Sequence, residues 1–186
     1  MRTYGGYAGV TSASFDGGYA RHTKVLYKGV DLTDAMNGQA DLSTLPSFAL
    51  KSINYKLNSG TKYGSGSIDG SLNINNNIKN NNVFYGIGDY GFSQFGANYS
   101  IDRTTSKRNI VFGKTSYNGD FKFKNANGDQ IKRSNNYLDQ FFLAMDRQFI
   151  VRDDLIVNIM TLKTENTRGL SGSTSFPSPN ATRTDD

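Results

Sequence analysis

The feature that most constrains this chain is a two-residue alternation of polar and apolar side chains. It runs through residues 62–74 and again through 93–101. Successive side chains of a β-strand point to opposite faces, so each segment predicts a strand with one apolar and one polar face. The apolar positions are Ile68, Leu72, Ile74, Phe95, Tyr99 and Ile101, and the polar positions are Ser65, Ser67, Asp69, Ser71, Asn73, Gln94 and Asn98.

Turn signals separate the alternating segments. Asn-Gly pairs at 37–38, 118–119 and 127–128 favour tight turns, because both central residues of a type I′ turn need positive φ. The pattern predicts an all-β, antiparallel up-and-down meander of about ten strands. A change of face within 47–57 predicts a bulge. The predicted strands are 3–11, 18–28, 46–57, 62–74, 83–89, 92–101, 109–117, 120–125, 137–147 and 155–165.

The segment 137–147 admits two interpretations. Leu138, Phe142 and Met145 recur at helical spacing, whereas Phe141, Leu143 and Met145 fall on one face of a strand. We favour the strand. A helix here would instead favour a soluble α+β domain.

Composition excludes several classes of function. The chain has 186 residues, a net charge of +5, one His and no Cys. These counts exclude disulfide scaffolds and thiolate metal sites, and no segment has the roughly 18 apolar residues of a membrane-spanning helix. The basic residues do not form one block, so we expect no nucleic-acid partner. We predict no cofactor and no metal site.

Enzymatic activity is not expected. His22 is the only histidine, and nothing in the sequence brings a particular Ser or Asp near it. Residues 86–91 spell G-x-G-x-x-G, but a strand rather than a helix is predicted to follow, so the motif does not indicate a dinucleotide site.

The predicted links alternate between short and long. Short links lie near 12–17, 58–61, 90–91, 118–119 and 148–154, and long ones near 29–45, 75–82, 102–108, 126–136 and from 166 onward. Short turns at one end and long loops at the other are typical of outer-membrane barrels. Tyrosines near strand ends, such as Tyr90 and Tyr117, fit an aromatic girdle, although ordinary sheets also favour Tyr.

With these features, over Lys62 to Asn75, Phe92 to Ile101 and Tyr137 to Lys163, the chain resembles bacterial outer-membrane β-barrel proteins of the porin or transporter kind. The resemblance implies a transmembrane barrel whose apolar positions given above face lipid and whose polar positions line a wet lumen. It implies a conduit in the cell outer membrane for a polar solute or an exported protein. The expected partners are outer-membrane lipid and the cargo, and self-association stays open.

The two ends suggest part of a larger barrel. Thr3-Tyr4-Gly5-Gly6-Tyr7 follows Met1-Arg2 without an apolar secretory segment, and residues 169–186 are rich in Ser, Thr and Pro. We therefore predict barrel strands and loops over 1–168 and a loop or tail over 169–186.

The alternative is a soluble extracellular β-rich binding or adhesion module, such as a sandwich. The two hypotheses differ in where the apolar faces point. A barrel in lipid turns them outward, whereas a sandwich turns them into its own core.

Overall fold

The computed structural model confirms an all-β chain. It describes residues 1–4, 7–15, 17–57, 66–76, 80–125, 127–173 and 175–185. Within these ranges the regular elements are strands and short 3-10 turns. Among the described residues, no helix has the length and apolarity needed to cross a membrane.

The chain divides into two compact units, Met1–Asn77 and Ile78–Asp186. The sequence predicted a division after residue 168 instead. The segment predicted as a tail contains a strand that belongs to the second unit.

The first unit contains a mixed four-stranded sheet and a separate two-stranded sheet. The order in the larger sheet is β4-β3-β6-β5, and β3 and β6 run parallel, unlike the antiparallel meander that the sequence predicted. The strand predicted over 3–11 is instead the hairpin β1-β2. The strands are β1 (Arg2–Tyr4), β2 (Val10–Ser12), β3 (Thr23–Tyr27), β4 (Val30–Asp31), β5 (Ser52–Lys56) and β6 (Gly70–Asn75).

The core of the first unit lies along the parallel pair. Val25 pairs with Leu72 and Tyr27 with Ile74, and all four side chains are buried. The Tyr27 hydroxyl donates to the Ala49 carbonyl at 3.3 Å, which satisfies its polar end inside this core. A parallel pair carries such apolar runs because its faces are covered by other elements.

The second unit is built on a six-stranded antiparallel sheet in the order β14-β13-β12-β9-β8-β7, and β10-β11 forms a small hairpin outside it. Within this unit the predicted antiparallel meander is confirmed. The sheet does not close into a barrel, because β7 and β14 each have one sheet neighbour among the described strands. The strands are β7 (Asn82–Gly88), β8 (Phe92–Asp102), β9 (Ser106–Tyr117), β10 (Lys122–Lys124), β11 (Gln130–Lys132), β12 (Leu138–Arg152), β13 (Leu155–Gly169) and β14 (Thr182–Asp185).

The structure resolves the ambiguous segment as a strand. β12 pairs with β9 on one side and with β13 on the other along nearly its whole length. Phe141 and Phe142 therefore point to opposite faces of the sheet. β8, β9, β12 and β13 have 11, 12, 15 and 15 residues, enough for a tilted strand to cross a bilayer, which needs roughly 9–11.

Both links longer than ten residues in the second unit lie at the same end of the sheet. Links 103–105 and 153–154 are short and lie at one end. Links 89–91, 118–137 and 170–181 lie at the other, which we call the long-loop end.

Two predicted links were wrong. The link near 102–108 is a short turn rather than a long loop, and the expected turn at 118–119 opens the excursion that contains β10-β11. At 118–119 the N–H groups of Asn118 and Gly119 both donate to the Tyr90 carbonyl at 3.2 Å, so this pair contacts the link between β7 and β8 instead of closing a hairpin.

Candidate functional site: two faces of the six-stranded sheet

Strand β8 has an unusual division between its two faces. Gln94 and Asn98 are buried, with exposed fractions of 9% and 4%, whereas Phe95 and Tyr99 on the other face are 44% and 49% exposed. A water-soluble sheet normally buries its apolar face and exposes its polar one. In β8 the polar face is therefore the buried one and the apolar face the exposed one, which is the reverse of the usual strand in a water-soluble sheet.

The strand register extends the polar side of β8 across the sheet. Gln94 pairs with Thr115, Thr115 with Gln140, and Gln140 with Asn166, so four polar side chains form one row across four strands. We call the buried polar side chains on this side the polar face. It comprises Gln94, Asn98, Asn109, Thr115, Gln140, Asn166 and Arg168.

An apolar band crosses the polar face. Phe84 pairs with Gly96, Gly96 with Gly113, and Gly113 with Phe142. A Cβ added at Gly96 would lie 2.3 Å from the Phe84 ring, so this glycine leaves the space that the ring occupies. Buried Val111 and Ala144 continue the band, so the face is polar on either side of a narrow apolar stripe.

Hydrogen bonds satisfy only part of the polar face. The Gln94 Nε2 donates to the Thr115 Oγ1 at 3.1 Å, and the Asn98 Nδ2 donates to the Asn80 carbonyl at 3.4 Å. The Asn166 side chain is fully buried, yet neither of its amide atoms has a hydrogen-bond partner among the described residues. Buried amides normally find partners in protein or water, so this position suits contact with water or a polar solute.

A charged cluster lies at the long-loop end of the polar face. The Arg168 side chain is 1% exposed, and its Nη2 lies 3.2 Å from the Asp185 Oδ2. The Arg183 Nε lies 2.7 Å from the other oxygen of the same carboxylate. Two guanidinium groups therefore share the Asp185 carboxylate.

The opposite face of the sheet carries exposed apolar side chains in adjoining positions. Val83 pairs with Ala97 and Tyr85 with Phe95, and both rows continue onto β9. Phe95 pairs with Lys114 on β9, so a charged side chain lies on this face at the level of Phe95, and its Nζ is 3.0 Å from the Asp139 Oδ1. We call the exposed apolar set the outer belt, and it comprises Val83, Tyr85, Ile87, Phe95, Tyr99, Phe112 and Met145.

The structure brings together only some of the residues singled out in the sequence. Those on β8, namely Gln94, Asn98, Phe95, Tyr99 and Ile101, lie in the second unit with the predicted division of faces. The remaining predicted residues lie in the first unit, apart from Ser65, which falls outside the described residues.

The first-unit residues do not form a face like that of β8. Leu72 and Ile74 are buried core residues, which is not the exposed position that lipid contact requires. Ser67 and Ser71 are buried as well, Asp69 and Asn73 are half-buried, and Ile68 is exposed outside the strand.

Sequence reasoning missed most of the polar face. The alternation Asn109, Val111, Gly113, Thr115 was present in the sequence but was not assigned to a face. Gln140 was obscured by Phe141 and Phe142, and Asn166 and Arg168 lay beyond the end of the predicted strand over 155–165.

His22 lies in the first unit, apart from this sheet. Its Nδ1 is 3.6 Å from the Asp69 Oδ2, and its ring packs edge to face on Tyr19. Within the described part of the chain, no group of three or more His, Asp or Glu side chains is arranged to hold a metal ion.

The fold is similar to that of a solved structure, the copper transporter OprC. The match has a TM-score of 0.61 at 9% sequence identity, and it covers 82% of this chain but 24% of that one. The chain therefore corresponds in length to a part of that protein, and at this identity the likeness concerns the fold alone. No family model and no curated protein matches the sequence.

Proposed function

We propose that this chain is part of an outer-membrane β-barrel that acts as a porin- or transporter-like conduit for a polar solute or an exported protein. The observation that carries the proposal is the reversed arrangement of faces in β8, with buried Gln94 and Asn98 opposite exposed Phe95 and Tyr99. Lipid favours apolar outward side chains, and a wet lumen favours polar inward ones.

Two further observations support this proposal. Both links at one end of the sheet have three residues or fewer, as short periplasmic turns do in such barrels, and both links longer than ten residues lie at the other end. The fold is also similar to that of a transporter. In this proposal the outer belt contacts outer-membrane lipid, the polar face lines the conduit, and the chain performs no covalent chemistry.

The soluble sandwich is less well supported by the second unit. A sandwich would turn Phe95 and Tyr99 into a core and expose Gln94 and Asn98. The side chains of β8 have the opposite exposures.

Single-cysteine spin labelling tests the proposal, because the chain has no native Cys that would react. The variants Q94C, F95C, N98C and Y99C are labelled in the full-length protein reconstituted into vesicles. We expect labels at 95 and 99 to be relaxed by oxygen, which concentrates in lipid, and labels at 94 and 98 by a water-soluble nickel complex. Relaxation of all four labels by nickel, in a protein soluble without detergent, would contradict the barrel.

A further inference from the structure

The hairpin β10-β11 has two chemically different faces. Lys122 lies opposite Lys132, and Lys124 lies opposite Gln130, so these four side chains share one face, which we call the lysine face. Phe123 lies opposite Ile131 on the other face.

The lysine face carries more positive charge than neighbouring carboxylates neutralise. Like charges directly opposite each other on paired strands are unfavourable. The Lys132 Nζ lies 2.6 Å from the Asp120 Oδ2, and this hydrogen bond lowers the pKa of the Asp120 carboxyl. Within the described residues, Lys122 and Lys124 have no such carboxylate, so two ammonium groups remain available to an anion.

The other face holds the hairpin in place. Phe123 and Ile131 line a small cavity together with Ser171 and Pro177 of the link 170–181. The Arg133 Nη2 donates to the Ser171 Oγ at 2.6 Å. Lys132 also lines that cavity, whereas Lys122 and Lys124 on the lysine face are exposed and do not line it.

Aromatic contacts fix the hairpin close to the strand ends. Phe121 packs edge to face on Tyr90, with ring centroids 5.8 Å apart, and Tyr90 lies in the link between β7 and β8. β9 ends at Tyr117, five positions before Lys122. Tyrosines at strand ends mark the membrane interface in barrels, so the lysine face begins at the depth of lipid headgroups.

We propose that the lysine face binds the phosphate groups of lipid headgroups in the outer leaflet, an inference that rests on the proposed function. Charge complementarity and depth both support lipid as the occupant. The long-loop end is the extracellular end of such a barrel, and its loops meet the outer leaflet. Lysines near an anionic membrane surface contribute about 1 kcal/mol each.

The test compares two double variants of the full-length protein in neutral detergent micelles. K122Q/K124Q removes both available lysines of the lysine face, and K51Q/K56Q removes two exposed lysines of the first unit with the same change in net charge. Each protein is titrated with fluorescent phosphatidylglycerol and with fluorescent phosphatidylcholine. Inorganic phosphate serves as a competitor.

We expect K122Q/K124Q to weaken phosphatidylglycerol binding by about thirtyfold, at about 1 kcal/mol per lysine, and K51Q/K56Q to change it less than about twofold. Equal effects of the two variants, or equal binding of phosphatidylcholine, would overturn the inference. So would displacement by millimolar inorganic phosphate, which would indicate a site for free anions.

Gel mobility before and after boiling separates this inference from the proposed function. A heat-dependent shift in all three proteins shows that the barrel folds, so a failed titration then refutes lipid binding alone. Absence of the shift in the native protein would instead contradict the barrel.

Discussion

Strands β6 and β8 have the same alternating pattern in the sequence and opposite surroundings in the structure. In β6 the apolar residues Leu72 and Ile74 are buried in a mixed sheet of the first unit. In β8 the apolar residues Phe95 and Tyr99 are exposed, and their polar neighbours are buried. Alternation therefore specifies that a strand has two unlike faces, but not which face is buried.

The largest effect is expected in the core of the first unit. Ile74→Ala removes buried apolar atoms beside Tyr27 and should lower the free energy of unfolding by about 2–5 kcal/mol. Ile68→Ala is the control, because Ile68 is exposed and should change it by no more than about 0.5 kcal/mol. Denaturant unfolding measures both, and similar effects would contradict the assignment of the apolar face of β6 to a buried core.

A charged residue introduced on β8 tests whether its exposed apolar face contacts lipid. Phe95→Arg should cost about 1–2 kcal/mol of folding free energy in vesicles, because this exposed side chain lies between the strand end and the middle of β8. Gln94→Arg places the same charge on the polar face and should cost less. Folding titrations in urea with lipid vesicles measure both values. The reverse ranking would indicate a soluble sheet.

Glycine 96 tests whether the apolar stripe on the polar face is tightly packed. Gly96→Ala would place a Cβ 2.3 Å from the Phe84 ring and should cost about 1–3 kcal/mol by overpacking. Gly86→Ala on the adjacent strand is a matched control, since its Cβ would meet nothing within 4 Å. Phe84→Leu combined with Gly96→Ala should recover part of the loss, and no recovery would contradict this explanation.

Asparagine 135 should hold together the two long links of the second unit. Its Nδ2 donates to the carbonyls of Ser178 and Ala181, each at 2.7 Å, and its φ is +52°. Asn135→Ala should raise hydrogen exchange in 170–181 by an amount that corresponds to about 1–2 kcal/mol. Asn135→Gly accepts the positive φ but also lacks the donors, so fast exchange in both variants assigns the effect to the hydrogen bonds. Normal exchange in Asn135→Gly would assign it to backbone strain.

The smallest effect is a pH dependence in the first unit. Partial burial raises the pKa of Asp31, but hydrogen bonds from Lys24 and Thr33 outweigh it, so the pKa lies below its ordinary value of 3.8. The resulting stabilisation is present above pH 3.8 and is lost as the pH falls through the lowered pKa.

Asp31 is 44% exposed, so solvent screening limits this contribution to less than about 1 kcal/mol. Asp31→Asn should remove it and leave a flatter dependence of stability on pH below 5. If the loss of stability at acid pH is the same in this variant as in the native protein, the Lys24–Asp31 ion pair does not contribute to it.

The sequence predicted the second unit better than the first. The strand predicted over 92–101 is Phe92–Asp102, and that over 83–89 is Asn82–Gly88. These strands pair with their neighbours in the chain, so local alternation and turns carry most of the information. In the first unit, β3 pairs in parallel with β6 across more than forty residues, and no local pattern encodes such a partner.

Local conformation explains two further differences. The change of face between Leu50 and Ile53 arises because a 3-10 turn occupies Ser47–Ala49 and β5 begins only at Ser52, rather than from a bulge. The strand predicted over 120–125 exists only as Lys122–Lys124, within the excursion at the long-loop end. The first turn is closed locally, by the Leu50 N–H donating to the Ser47 carbonyl at 3.2 Å, and it carries no Asn-Gly signal.

By itself, the sequence determined that this protein is all-β and that its strands have a polar and an apolar face, because side-chain direction on a strand repeats every two residues. Only the tertiary structure decided which face is buried, because burial depends on what packs against the sheet. That decision placed Leu72 in a core and left Phe95 exposed, and it assembled Gln94, Thr115, Gln140 and Asn166 into one buried row.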